Sequence, residues 1–251
     1  TSSLVGSEMC IRDRLEAEGL RVAVLAQPDW HDAEAFRAMG RPRLGVFIGA
    51  GNLDSMVAHY TAAKRRRSED FYSPGKRTGC RPDRAAIVYC NRAREAFGPD
   101  VPIILGSLEA SLRRFAHYDY WDDSVRRAIL FDAPADLLVY GMGEAATIEI
   151  AHRLKKKQSV HTMTDIPGTG YITRDPSVCK FDHITLPSFE DVRDDKRLYA
   201  EATRTEYAEH DPVRGRAMIQ PCEGRYLVIN PPAMPLDTRE LDRVADLPYT
   251  R

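Results

Sequence analysis

The sequence predicts an α/β fold built on a doubly wound parallel sheet, and three observations predict it. From residue 15 to about 157, short apolar runs rich in β-branched residues alternate with stretches of helical period, as βαβ units require. Each run is closed by Gly, Pro or polar residues. The chain has 251 residues, 43% of them hydrophobic, enough for a core covered on both faces, yet no stretch reaches the roughly 18 apolar residues of a membrane span.

In chain order, residues 1–13 do not read as a domain start. "LVGSEMCIRDR" resembles a translated sequencing-adapter peptide, so this segment is treated as foreign to the fold. Residues 15–18 read as the last turn of a helix with Gly19 as its C-terminal cap. Strands are expected at 22–26, 44–48, 85–89, 102–105 and 136–140, the last followed by a helix over 145–154. Between the last two strands, 109–115 reads as a short helix, 117–121 as a bend, and 123–129 as a second helix capped by Asp122 or Asp123. Residues 158–187 form a variable connector with an extended piece near 170–173. Ser188 then caps a helix over 189–209, the strands 217–220 and 226–229 flank the turn "PCEGR", and a closing helix starts at Asp237 or Thr238. The organisation is therefore an α/β domain at 14–157, the connector, and a smaller α+β segment at 188–251 with helix, hairpin and helix. A helix with no strand before it and a "VADLPYTR" end without a closing element make the chain read as a fragment, truncated at both ends.

Ligands of open α/β sheets sit beyond the carboxyl ends of the strands. The loops to inspect are "QPDW" (27–30), "GAGNLDSM" (49–56), "GSLEAS" (106–111) and "GMGEAA" (141–146). They supply Asn52, Asp54, Gly106, Ser107, Glu109, Gly143 and Glu144 as ligand-facing or domain-facing candidates. Glycine lets a backbone approach a ligand, and helix N-termini offer free N–H groups, although none of the loops is a complete dinucleotide or P-loop motif. Glu144 either caps its helix or holds a ligand hydroxyl or amine. The stretch "FAHYDYWDDS" adds His117, Asp119, Tyr120 and Trp121, whose rings pack under the sheet, form a surface for a second domain, or touch a ligand. His117 with Asp119 has the chemistry of an acid/base pair near neutral pH.

Charge narrows the partners. The 36 basic and 37 acidic residues leave a net charge of -1, so no global field favours nucleic acid or an anionic membrane, and neither is an expected partner. The basic stretch 64–84 reads as a solvated loop, with a phosphate or RNA patch as the alternative. Five scattered cysteines without zinc spacing read as reduced thiols of a cytoplasmic protein with no metal site.

Six strings in order, "AQPDW", "AGNLDSM", "YTAAKRRRSEDFYSPGKRTGCRPDRAAIVY", "ILGSLEASLRRFAHYDYWDDSVRRAIL", "LPSFEDVRDDKRLYA" and "INPPAMPLDTRELDRVADLPY", strongly resemble the N-terminal region of YgiQ-type radical SAM proteins, over nearly all of 15–251. The resemblance implies a Rossmann-like domain similar to cobalamin-binding domains, followed by a radical SAM barrel. That barrel would hold a [4Fe-4S] cluster on a Cys-x-x-x-Cys-x-x-Cys motif and cleave S-adenosylmethionine. The motif is absent from this sequence, so no catalytic residue and no cluster ligand is assigned, and no cofactor is expected on this chain alone. Cobalamin stays an open alternative, because its usual Asp-x-His-x-x-Gly motif would lie upstream of Leu15. The function implied is an accessory region whose partners are its own radical SAM domain and an unidentified substrate. The competing reading is a stand-alone Rossmann-like module for a nucleotide or a cobalamin-like ligand.

Overall fold

The computed structural model describes residues 7–247. Seven strands form one sheet in the order β1-β2-β5-β6-β9-β8-β7, namely β1 (Val46–Ile48), β2 (Ile103–Leu105), β5 (Leu137–Val139), β6 (Thr169–Thr173), β9 (Arg225–Ile229), β8 (Ala217–Cys222) and β7 (His183–Thr185). A separate hairpin pairs β3 (His117–Asp119) with β4 (Ser124–Arg126). β1, β2 and β5 run parallel, β6, β9 and β8 are joined antiparallel, and β7 returns parallel to β8. The expected α/β class holds, with a mixed sheet in place of a purely parallel one.

Strand residues alternate between faces, and two separate cores follow. Ile103, Leu105 and Leu138 join Tyr89, Cys90, Ala93 and Phe97 of α3 (Ala85–Phe97) on one face. Ile104, Leu137 and Val139 join Ala146, Ile150 and Leu154 of α5 (Glu144–Lys155) on the other. Ile103, Ile104, Leu105, Leu137 and Leu138 are at most 1% exposed, which is why these strands read as continuous apolar runs. The same two cores take in Leu227 and Ile229 on one side and Ile219 and Val228 on the other, so the last segment shares both faces.

Four local expectations are corrected. Residues 22–26 join no ladder and are partly exposed, Val24 by 37%. The chain beyond them is tied down by side chains instead, with Arg92 donating to the carbonyls of Trp30 and His31. Residues 85–89, expected as a strand, open α3. The buried set Ala85, Ala86, Tyr89, Cys90, Ala93 and Phe97 has helical spacing, and that longer period outweighs the β-branched pair at 87–88. The bend and helix expected over 117–129 are the β3–β4 hairpin, because the Asp119 side chain accepts from the N–H of Trp121 and Asp122 and turns the chain. The helix over 189–209 is broken into α6 (Phe189–Asp194) and α7 (Lys196–Ala208) at Asp195, which is extended and caps α7 through the N–H of Arg197. Ser188 does cap α6, in a reciprocal box with Asp191, and Asp237 caps α8 (Thr238–Ala245).

The N-terminal helix α1 (Ser7–Ala17) packs against α5, and Gly19 follows it with φ +72°. Most of the segment treated as foreign thus lies in α1, while residues 1–6 fall outside the described ones.

Two short helices stand above the carboxyl ends of β1 and β2: α2 (Ser55–His59) and α4 (Ser107–Leu112). Glu109 of α4 is wholly buried, and its two carboxylate oxygens accept from Ser55 N–H at 2.9 Å and Ala86 N–H at 3.0 Å. One side chain therefore answers the first turns of both α2 and α3, where free N–H groups and the positive helix ends favour a carboxylate. Glu109→Ala leaves two buried donors without acceptors, at about 1–3 kcal/mol each. We expect urea unfolding to show a loss of about 2–6 kcal/mol, with Glu109→Gln in between because it restores one acceptor.

Candidate functional site

The loops after β1, β2 and β5 meet at one end of the sheet, and most of their polar groups are spent on one another. Ser107 sits at φ +73°, its Oγ accepts from Ala50 N–H at 3.1 Å, and its carbonyl accepts from Ser111 Oγ at 2.9 Å. Gly106 N–H donates to the Ile48 carbonyl at 2.8 Å. Asp54 caps α2 through Met56 and Val57 and pairs with Arg113. Gly143 precedes α5, and a Cβ there would stand 2.8 Å from Val139 Cγ1, so the close approach requires glycine. Asn52 is exposed. Glu144 opens α5, and its Oε2 is buried without a hydrogen-bond partner. The structure thus gathers Asp54, Ser107 and Glu109 into a cross-braced rim and leaves Asn52 and Glu144 uncommitted.

The aromatic stretch lies on the hairpin. Tyr118 and Tyr120 are 48% and 46% exposed, while Trp121 packs at a tilt against Tyr60 with centroids 5.2 Å apart. Tyr120 Oη donates to the Ala62 carbonyl at 2.6 Å, and Tyr118 N–H donates to Tyr199 Oη at 3.0 Å. These rings therefore join the hairpin to the 60–64 loop and to α7; they do not fill the sheet's core. Asp119 is 3% exposed. Burial pushes its carboxyl up, but Arg84 at 2.9 Å and the Asp122 and Trp121 amides outweigh that and hold it below the usual range. His117 lines the same closed cleft as Asp119, Arg84, Arg113 and Arg126. Burial lowers its imidazole pKa, Nδ1 faces the Phe115 carbonyl at 3.1 Å, and Nε2 is buried without a partner. The carboxylate that His117 would need as a catalytic partner is already engaged by Arg84.

A second cluster at this end of the sheet escaped the sequence reading. Arg114 lies 5.0 Å over the Tyr140 ring and 5.2 Å over Phe115. Its Nη1 donates to the Ser111 carbonyl at 2.6 Å, Nη2 faces His210 Nδ1 at 3.3 Å, and Nε is buried without a partner. Burial lowers the Arg114 pKa and pushes the nearby Glu206 carboxyl up to about 7, against the pull of the Arg114 charge. Tyr140 Oη donates to the Asn230 carbonyl at 2.6 Å. The cluster can hold and release a proton near neutrality beside a cation. The only signal for it was the Arg pair in "SLRRF", since Glu206 and His210 arrive on and just after α7.

Among the described residues, no set of side chains fits a metal centre or an iron–sulfur cluster. Cys80, Cys90, Cys179 and Cys222 are free thiols on separate segments, and burial pushes Cys222 up to about 12. Among the described residues no three His, Cys, Asp or Glu side chains converge as ligands. For cobalamin, the loops directly following β1, β2 and β5 carry no histidine, and no step is derived through that group.

The family model described as "Radical SAM N-terminal" matches residues 4–251. A UPF0313 protein of Clostridium botulinum (strain 657 / Type Ba4) is 52% identical over 237 residues, covering 94% of this chain and 37% of the relative. A UPF0313 protein of Clostridium perfringens (strain SM101 / Type A) is also 52% identical, with 94% of this chain and 36% of the relative covered. This chain spans little more than a third of the length of these relatives. No solved structure matches it.

Glu206 gives a pH test. Its folded-state pKa of about 7 lies above the ordinary 4.5, so the folded state favours the protonated form, and its contribution is lost as pH rises through 7. Glu206→Gln should melt about 2–4 °C above the parent at pH 8 and together with it near pH 4, read by circular dichroism.

Proposed function

The chain belongs to the Radical SAM N-terminal family, and from that premise we propose that it is the accessory N-terminal region of a radical SAM enzyme. In this reading the remainder of the protein binds a [4Fe-4S] cluster and cleaves S-adenosylmethionine, and the region described here covers the mouth of that catalytic domain. The family match over 4–251 carries the reading.

The geometry supports the docking role. Leu108 and Leu112, on successive turns of α4, are 43% and 59% exposed, and Met142 just beyond β5 is 54% exposed. All three follow parallel strands at their carboxyl ends and therefore stand at the same end of the sheet. Large apolar side chains beside a rim whose polar groups, apart from Asn52 and Glu144, are paired suit a protein surface better than a polar ligand. The substrate is outside what these residues define. No helix among the described residues is long and apolar enough to cross a membrane. A cytoplasmic location is part of the proposal and is supported by the free thiols, which fit a reducing compartment.

The test uses a full-length clostridial relative with Leu108→Glu and Leu112→Glu introduced at the aligned positions. The parent should bind iron and sulfide and release 5'-deoxyadenosine from S-adenosylmethionine. The double variant should keep its cluster yet lose at least about 1 kcal/mol of docking, visible as a separated second melting transition or a drop in 5'-deoxyadenosine yield. A parent that binds no cluster sinks the enzymatic reading, and an unaffected variant sinks the docking face.

A further inference from the structure

We propose that the groove between α2 and residues 64–72 binds single-stranded nucleic acid. The groove is open, holds about 600 Å³, and is walled by Val57, Ala58 and Thr61 on one side and Arg65, Arg66 and Phe71 on the other. It borders the rim on the side of α2, through Leu53 and Val57, but the proposal does not depend on the docking assignment.

Its cations lack close carboxylate partners. Many other arginines meet a carboxylate, as Arg84, Arg113, Arg126, Arg127 and Arg153 do. Among the described residues, Lys64, Arg65, Arg66 and Arg67 form no ion pair. The nearby carboxylates are already engaged. Asp70 is 2% exposed and held by Arg81 at 2.8 Å, Glu69 faces Lys76 at 3.8 Å, and Asp83 takes His59 and Tyr60, each at 2.7 Å. Arg67 is partly spent on the carbonyls of Val57 and Tyr60, which fixes the loop against α2. Arg65 and Arg66 are exposed; the Arg66 charge acts on Asp83 and Tyr60 without a close ion pair, and Arg65 meets no carboxylate at ion-pair distance among the described residues.

Ring faces accompany that charge. Phe71 is 69% exposed and Tyr72 43%, a costly display for side chains that the core could bury. On the far side of the arginines, Tyr60, Trp121 and Tyr120 form a run of rings with centroids 5.2 and 5.3 Å apart. Arg66 lies 5.8 Å over Tyr60 and Lys64 lies 4.8 Å over Tyr120. Guanidinium groups that follow phosphates, alternating with faces on which bases stack, are the two components of single-strand binding. A duplex hides its base faces, and an acidic peptide would use the arginines while leaving Phe71 idle.

The measurement is fluorescence anisotropy of the purified protein with labelled RNA and DNA single strands of about 12 nucleotides, between about 50 and 300 mM salt. Binding should weaken linearly with log salt. Arg65→Ala with Arg66→Ala should lower affinity about tenfold or more at low salt and flatten the slope by about 1.4. Phe71→Ala should lower it about fivefold or more, and Phe71→Tyr should restore it. The strand bound more tightly, RNA or DNA, identifies the natural source. Absence of salt-dependent binding, a Phe71→Ala variant that binds like the parent, or equal competition by polyglutamate or by anionic vesicles would each overturn the proposal. If a variant melts early, the salt slope and the preference of the parent for single strands over duplex and polyglutamate decide the matter.

Discussion

The arrangement turns on one buried carboxylate. Two helices that begin side by side place several unpaired N–H groups in a space closed to water, and a donor left without an acceptor there costs about 1–3 kcal/mol. Glu109 supplies both oxygens, one to α2 and one to α3. Ser55 Oγ adds the Ala85 N–H at 3.0 Å, and Arg113, on the turn after Glu109, pairs with the Asp54 cap. The loops after β1 and β2 are thereby fused into one unit. Most of their polar groups answer each other, and Leu108, Leu112 and Met142 stand outward at this end of the sheet beside the exposed Asn52.

A second brace joins this unit to the rest. Arg84, left-handed at φ 51° just before α3, reaches both Asp119 and Asp122 of the hairpin, and Arg126 of β4 reaches Asp122 and Asp132. Partly shielded networks of this kind are expensive to break at one member, because a charge is then stranded. The turn of the hairpin is held both by charge, through Asp119 and Asp122, and by rings, through Tyr120 and Trp121, which pack against the basic loop. Loop order here comes from long-range partners, since the segment has no apolar core of its own.

The sequence was most readable where a single period decided the matter. β2 and β5 were legible as short apolar runs, α5 as a helix after a glycine loop, and the β8–β9 hairpin from its turn residues. Residues 85–89 misled because "AAIVY" satisfies a buried strand and the first turn of a helix equally, and only the continuation to Ala93 and Phe97 separates the two. The hairpin at 117–126 was hidden because its turn depends on Asp119 being locked by Arg84, 35 residues earlier. Among the candidate site residues, Glu109 was legible as a carboxylate in the loop after a strand, expected to face a ligand or a domain, but not as a buried group serving two helix starts. Arg114 with Glu206 was not legible, because nothing local in either segment points to the other. The basic run 64–67 was visible as charge, while its want of carboxylate partners belongs to three-dimensional packing alone.

The continuity of the sheet has a consequence for how the molecule comes apart. β6, from the connector, lies between β5 and β9, and the fully buried Asn230 ties that connector down through Thr164, Ile166 and Thr169. A protease that nicks the exposed bend near residues 174–175 would cut the chain without dividing the fold. The two pieces share a ladder and both apolar cores, so they would travel together through a sizing column and separate only in denaturant. The chain has a midpoint in sequence and none in mechanical terms.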